Sequence, residues 1–156
     1  MLSPSAQKVQ EILQKLGVSC VVMELPESTR TAPEAAKAAG CSLGQIVKSL
    51  IFIGGKSGKP ILALVSGSNR VDEIRLGVLA GEPIERADPE FVRMTTGFAI
   101  GGVPPIGHPQ AIETYVDEDL LQYPFVWAAA GTPKAIFKID PAELSRLTGG
   151  KVVMLK

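Results

Sequence analysis

Residues 47–67 read VKSLIFIGGKSGKPILALVSG. Two apolar runs rich in β-branched residues, Val47–Gly54 and Pro60–Gly67, flank the short polar link GKSGK. Runs of this length around so short a link predict a β-hairpin. The link also invites a phosphate-loop reading, through GGKSGK at Gly54–Lys59. The GxxxxGK[ST] spacing fails, because position 53 is isoleucine and Pro60 stands where the hydroxyl residue belongs. A hairpin turn is the better reading.

Outward from the hairpin, short helices are interspersed with strands, without regular β-α alternation. Ser3-Pro4 suits a helix start, and Val9, Ile12, Leu13 and Leu16 follow at helical spacing until Gly17. Val18–Leu25 predicts a strand. Thr31-Ala-Pro-Glu34 fits a capping box. The AAKAA helix behind it, stopped by Gly40, has little bulk, so it either packs closely or lines something. Leu43–Ile46 allows one more turn. After the hairpin, Ser66–Asn69 (SGSN) reads as a strand end and helix cap, and Val71, Ile74 and Val78 recur at helical spacing. Asp88-Pro89-Glu90 opens a further helix ended by Gly97. Ala111–Val116 predicts a strand and Asp117–Leu121 a turn or short helix. Phe125–Ala130 and Lys134–Ile139 form a second hairpin across Gly131-Thr132-Pro133. Asp140-Pro141-Ala-Glu143 starts a last helix, and KVVML is a last strand. No linker, internal repeat or low-complexity segment interrupts the chain, so residues 1–156 read as one domain. Hairpins and single strands between short helices predict an α+β (mixed α/β) fold with a mixed sheet, and argue against a doubly wound parallel sheet.

The 156 residues carry 16 basic and 16 acidic side chains, for zero formal net charge. That disfavours tight non-specific binding to duplex DNA, which needs many phosphate contacts. Cys20 and Cys41 have no CxxC spacing, which points to a reducing compartment and no disulfide framework. One histidine and two distant cysteines cannot furnish the usual zinc set, so no metal or cofactor is expected. No apolar signal core or membrane-length run is present, and the chain reads as soluble and cytoplasmic. No GxSxG elbow accompanies the single histidine.

Gly97–His108, GFAIGGVPPIGH, holds four glycines, two consecutive prolines and that histidine. Glycine permits close backbone approach and proline fixes φ, so the stretch reads either as a rigid ligand loop or as a plain connection. His108 either caps this loop or orients a ligand hydroxyl. Lys48 shares a strand face with Leu50 and Phe52. It either snorkels from the strand end or aims a cation into a pocket.

In order, IVKSL, SGSNRVDEIRL, TGFAIGGVPPIGH, AAGTP and DPAEL…LTGGKVV resemble the YbaK/ProX family of aminoacyl-tRNA deacylases, which is related to the editing domain of bacterial prolyl-tRNA synthetases. The resemblance runs from about Thr29 to near the C-terminus. It implies a compact, barrel-like mixed-sheet core surrounded by short helices. It also implies trans-editing, the hydrolysis of the ester joining a small mischarged amino acid to tRNA. By the same resemblance, Lys48, Gly101 and Gly102 carry catalysis. Thr31, Ser49, Val103, Pro104, His108, Gly131 and Thr132 contact substrate. The partners implied are a charged tRNA acceptor end and an aminoacyl-tRNA synthetase, with no membrane and no duplex DNA. Lys8, Lys15, Lys37, Arg70 and Arg75 are candidate tRNA-facing charges. The Lys48-Ser49 pair departs from the KN of alanine-specific members, and GGVPPIGH departs from the Cys-tRNA(Pro) deacylases. A non-catalytic binder of aminoacyl-tRNA or a synthetase-associated protein is the alternative, distinguished by binding without release. Hydrolysis of another small ester is a third reading, distinguished by turnover without tRNA.

Overall fold

The computed structural model describes residues 1–156. Five helices lie among eight strands, in the order α1 (Pro4–Lys15), β1 (Val22–Glu24), α2 (Ala32–Ala39), β2 (Ile46–Gly54), β3 (Pro60–Ser66), α3 (Glu73–Ala80), β4 (Ile84–Arg86), α4 (Pro89–Thr96), β5 (Glu113–Asp117), β6 (Val126–Ala129), β7 (Ala135–Ile139), α5 (Pro141–Thr148) and β8 (Lys151–Val153). Single 3-10 turns at Leu43–Gln45 and Glu118–Gln122 precede β2 and follow β5. Three later helix starts carry the capping chemistry read from sequence, whereas Ser3, read as the cap of α1, makes no side-chain capping bond. The Thr31 capping box is complete, and the Asp88 and Asp140 side chains accept from Phe91 and Ala142 amides. Such caps satisfy amides that the first helical turn leaves unbonded.

All eight strands form one sheet, ordered β1-β7-β6-β2-β3-β5-β8, with β4 also paired to β2. The β2–β3 and β6–β7 hairpins are antiparallel, as are β1–β7 and β2–β4, while β2–β6, β3–β5 and β5–β8 are parallel. The sheet is therefore mixed, as expected. Its order ends at β1 and β8, so no ladder closes the barrel-like curve into a ring.

Both faces of the sheet are covered, which explains the nearly unbroken apolar run of β3. Leu62, Leu64, Val47 and Ile51 turn toward α1, α4 and α5, where they meet Val9, Leu13, Val92 and Leu144. Ile61, Ala63, Val65 and Phe52 turn the other way, toward Leu76 of α3. Ile46 packs on Ala35 and Ala36 of α2.

Some expectations change. The first strand is three residues, not eight. Val18 N–H returns to Leu13 C=O at 3.2 Å to finish α1, and only Val22–Glu24 pair with β7. Gln10 of α1 takes the place of a neighbour strand: it donates to Cys20 C=O and accepts from Val22 N–H. Asp72, not the SGSN segment, caps α3, and the helix buries Leu76 and Gly77. Ile74 and Val78 stay 82% and 75% exposed, so their spacing marks the outer face. β4 carries no sequence signal and exists through its ladder with Phe52–Gly54. In the hairpin link, the Lys56 and Ser57 amides hold the carboxylate of Glu82 at 2.9 and 2.8 Å. The turn that mimics a phosphate loop is thus filled by an internal anion.

Candidate active site

β2 carries β3 along its whole length on one side. On its other side β6 pairs only with Ile46 and Val47, and β4 only with Phe52–Gly54. The sheet is split between these two ladders. Ile46 C=O accepts from Gly67 on the β3 side, and Ile51 C=O accepts from Ala87 on the β4 side. Alternation along the strand therefore turns the N–H and C=O of Ser49 into the split. Two residues beyond Ala87 stands Pro89, which has no amide to continue the β4 pairing.

A cavity of about 450 Å³ opens at this split. Its walls come from β2 (Lys48, Ser49, Leu50), β6 (Trp127, Ala128, Ala129), α2 (Ala32, Ala35) and the glycine-proline loop (Gly101, Val103). Small residues of α2 and β6 leave the space. The AAKAA helix thus both packs on Ile46 and lines the cavity. Arg30, Lys48 and Arg86 are the ionisable groups of the wall, and no carboxylate lines it.

The loop is fastened at several points. Gly97 ends α4 in the left-handed region with φ 83°. Gly102 N–H donates to Ala99 C=O at 3.0 Å, and Gly102 C=O accepts from Gly131 N–H at 2.8 Å. A Cβ at Gly102 would lie 2.9 Å from backbone atoms of Gly131 and Thr132, so only glycine allows this approach. His108 Nε2–H donates to Pro104 C=O at 2.9 Å. Burial holds the His108 pKa below its ordinary value, which keeps the ring neutral. Pro104 and Pro105 bring no amide. The N–H groups of Gly101 and Val103 have no acceptor within the protein, although Val103 is buried. A buried amide without a partner costs about 1–3 kcal/mol, which marks these donors as unusual beside a cavity.

Lys48 Nζ donates to the main-chain carbonyl of Asn69. Asn69 Nδ2 donates in turn to Asp117 Oδ2 at 2.9 Å and to Asp119 Oδ2 at 2.7 Å. Asp117, only 1% exposed, also accepts from Ser66 N–H at 3.0 Å. Burial lowers the Lys48 pKa; Asp117 opposes the shift, and Arg70 and Arg86 add to it.

The structure thus gathers Thr31, Lys48, Ser49, Gly101 and Val103 at one cavity. The Thr31 hydroxyl is committed to the cap of α2. Gly102, Pro104, His108, Gly131 and Thr132 stand outside the cavity wall. Gly102 and Gly131 join the loop to the β6–β7 turn, His108 braces Pro104, and the Thr132 hydroxyl accepts from Lys134 N–H. Lys8, Lys15, Lys37, Arg70 and Arg75 do not line it either. Sequence reasoning missed Arg30 and Arg86. Arg30 is adjacent to the capping Thr31, and its side chain lies where a Gly101 Cβ would point, with Cγ at 2.6 Å. Arg86 is carried by the unforeseen β4 and pairs with Glu73 at 3.2 Å.

The family described as the aminoacyl-tRNA editing domain matches residues 26–147. A crystal structure of a proposed trans-editing enzyme for prolyl tRNA synthetase superposes with a TM-score of 0.94. The two are 56% identical, and the match covers 100% of this chain and 99% of that one. The uncharacterized protein YwhH of Bacillus subtilis is 33% identical over 131 residues, 84% of this chain and 83% of its own length. EbsC of Enterococcus faecalis, a proposed Cys-tRNA(Pro)/Cys-tRNA(Cys) deacylase, is 29% identical over 126 residues, 80% of this chain and 76% of its own.

Proposed function

The chain belongs to the aminoacyl-tRNA editing domain family and is an aminoacyl-tRNA deacylase, and from this premise we propose that it removes a small mischarged amino acid from the tRNA end within the cavity at the split of β2. The whole chain acts as one domain in this reading. The observation that carries it is the pairing of a small cavity with the two free amides of Gly101 and Val103 on its wall.

An aminoacyl ester is already activated, so its hydrolysis needs placement and oxyanion stabilisation more than a strong nucleophile. The ester carbonyl oxygen lies against the Gly101 and Val103 amides. Water, placed by the neighbouring ribose hydroxyl, adds to the carbonyl carbon. The tetrahedral oxyanion then collapses, the bond to the ribose oxygen breaks, and that oxygen leaves with a proton. One pre-organised amide at the oxyanion is worth about 3–4 kcal/mol. Lys48 keeps one of its three N–H donors on Asn69, and the other two serve the ribose or terminal phosphate. Arg30 and Arg86, at the same wall, suit the phosphates of the acceptor end. The cavity, about 450 Å³, receives the small aminoacyl end between alanines on two of its sides. A synthetase pocket separates close analogues by only about 1–3 kcal/mol per methylene, and a second sieve of this kind adds to that discrimination. A synthetase presenting the mischarged tRNA is the natural partner.

The test is a deacylation panel with tRNAs charged with Pro, Ala, Ser, Thr or Cys, beside the Lys48→Ala variant. Release of one small amino acid, lost in the variant, is expected. Binding of charged tRNA with no release from any of them would replace the enzyme by a binder.

A further inference from the structure

The split in the sheet exposes hydrogen-bond acceptors as well as space. Ser49 C=O points into it, as the alternation along β2 requires. On the opposite side, Ala130 N–H bonds Ala135 C=O within the β6–β7 hairpin, which turns the groups of Ala129 the other way, toward β2. The β2–β6 ladder ends at Val47 and Ala128, so Ala129 C=O lies just past its last pair. Ser49 and Ala129 both line the cavity. Two strand carbonyls thus face one small space without a strand between them. The Ser49 hydroxyl beside them is also buried without a partner.

We propose that this split is the subsite for the α-amino group of the substrate, held by the carbonyls of Ser49 and Ala129. The inference rests on the deacylase reading and adds what the site recognises. An aminoacyl ester carries an amine whose N–H groups need acceptors, and no carboxylate lines the cavity to supply them. The carbonyls meet that need without a charged side chain. The free amides of Gly101 and Val103 supply donors to the ester oxygen on another wall. Donors and acceptors then bracket the amine and the carbonyl of one aminoacyl unit. The recognition counts N–H donors: an amine offers two or more to the two carbonyls, and a hydroxyl in its place offers one.

The experiment compares matched esters that differ only at the α position. Alanyl-tRNA is set against lactyl-tRNA, and seryl-tRNA against glyceryl-tRNA, each rate divided by that ester's spontaneous hydrolysis in buffer. The amine-bearing ester of the faster pair is expected to be accelerated at least tenfold more than its hydroxy partner. Equal acceleration within twofold would overturn the subsite while leaving the deacylase intact. Failure to accelerate any of the four would overturn the subsite for these small side chains, and the panel of five charged tRNAs decides the deacylase separately. Amide ¹⁵N signals locate the contact, because Leu50 and Ala130 nitrogens share peptide groups with the two carbonyls. A non-hydrolysable alanyl-amide of 3′-amino-3′-deoxyadenosine is expected to shift both signals. Shifts confined to other parts of the cavity would overturn the assignment even if the amine preference held.

Discussion

Asp117→Ala tests whether Lys48 is held from behind the cavity wall. Asp117 takes three hydrogen bonds: Ser66 N–H at 3.0 Å, Asn69 Nδ2 at 2.9 Å and Asp119 N–H at 2.9 Å. Ser66 is fully buried, so its amide loses its acceptor with no access to water. That loss costs about 1–3 kcal/mol. The groups of Asn69 and Asp119 are partly exposed and rehydrate, so each adds about 0.5–1 kcal/mol. The sum is about 3 kcal/mol, which lowers Tm by roughly 6–12 °C in a chain of this size. Asn69 also loses one anchor of the segment whose carbonyl holds Lys48. At a temperature where the variant is fully folded, kcat/KM for charged tRNA is expected to fall about tenfold, equivalent to about 1.4 kcal/mol. Thermal melts by circular dichroism and deacylation at low temperature read the two effects separately. A Tm within 2 °C of the parent would refute the buried-network accounting. A large Tm loss with unchanged deacylation in the folded variant would refute the link to Lys48.

Gly102→Ala drives a Cβ to 2.9 Å from the backbone of Gly131 and Thr132, which cannot swing aside as a side chain would. It is expected to destabilise the fold by about 1–3 kcal/mol, read by urea unfolding, and an unshifted midpoint would contradict the tight join. His108 titrates below its ordinary value because it is buried. The unfolded chain therefore binds its proton first, so stability is complete above about pH 6.5 and is lost as pH falls through the lower folded value. His108→Asn is expected to flatten that acid-side decline in urea midpoints between pH 7.5 and 5, and an unchanged slope would sink the assignment.

The legible parts of the fold are those fixed by local chemistry. Thr31, Asp88 and Asp140 announce helix starts because a cap acts on amides two or three residues away. The two hairpins announce themselves through short links between apolar runs. What was hidden depends on distant partners. β4 is a strand only because Phe52–Gly54 lie beside it, and β1 is cut short where Gln10 of α1 takes the backbone groups of Cys20 and Val22. Ile74 and Val78 show that helical spacing identifies a face without saying which face is buried; Leu76 and Gly77 meet the sheet instead. At the site, the types of Lys48, Ser49 and Gly101 were informative. The split that brings them together comes from the register of two ladders, which no local pattern encodes.

The same geometry redistributes the roles within the glycine-proline loop. Residue type alone makes Gly101 and Gly102 equivalent candidates for oxyanion donors. Hydrogen bonding separates them, because Gly102 spends its amide on Ala99 and its carbonyl on Gly131. Gly102 is a fastening, and the free donors are its neighbours on either side. Those neighbours are held still by the fastening between them and by His108 on Pro104. Fixed dipoles stabilise a developing charge most effectively, because they need no reorganisation when the charge appears. The acceptors on the facing wall are likewise fixed, by the ladders that flank Ser49 and Ala129. In the proposed reaction, backbone groups locked by strand pairing and loop bonding contact the reacting ester and amine. Lys48 and the arginines then hold the nucleotide end. An activated ester needs no more, which accounts for a cavity wall with neither a histidine nor a carboxylate.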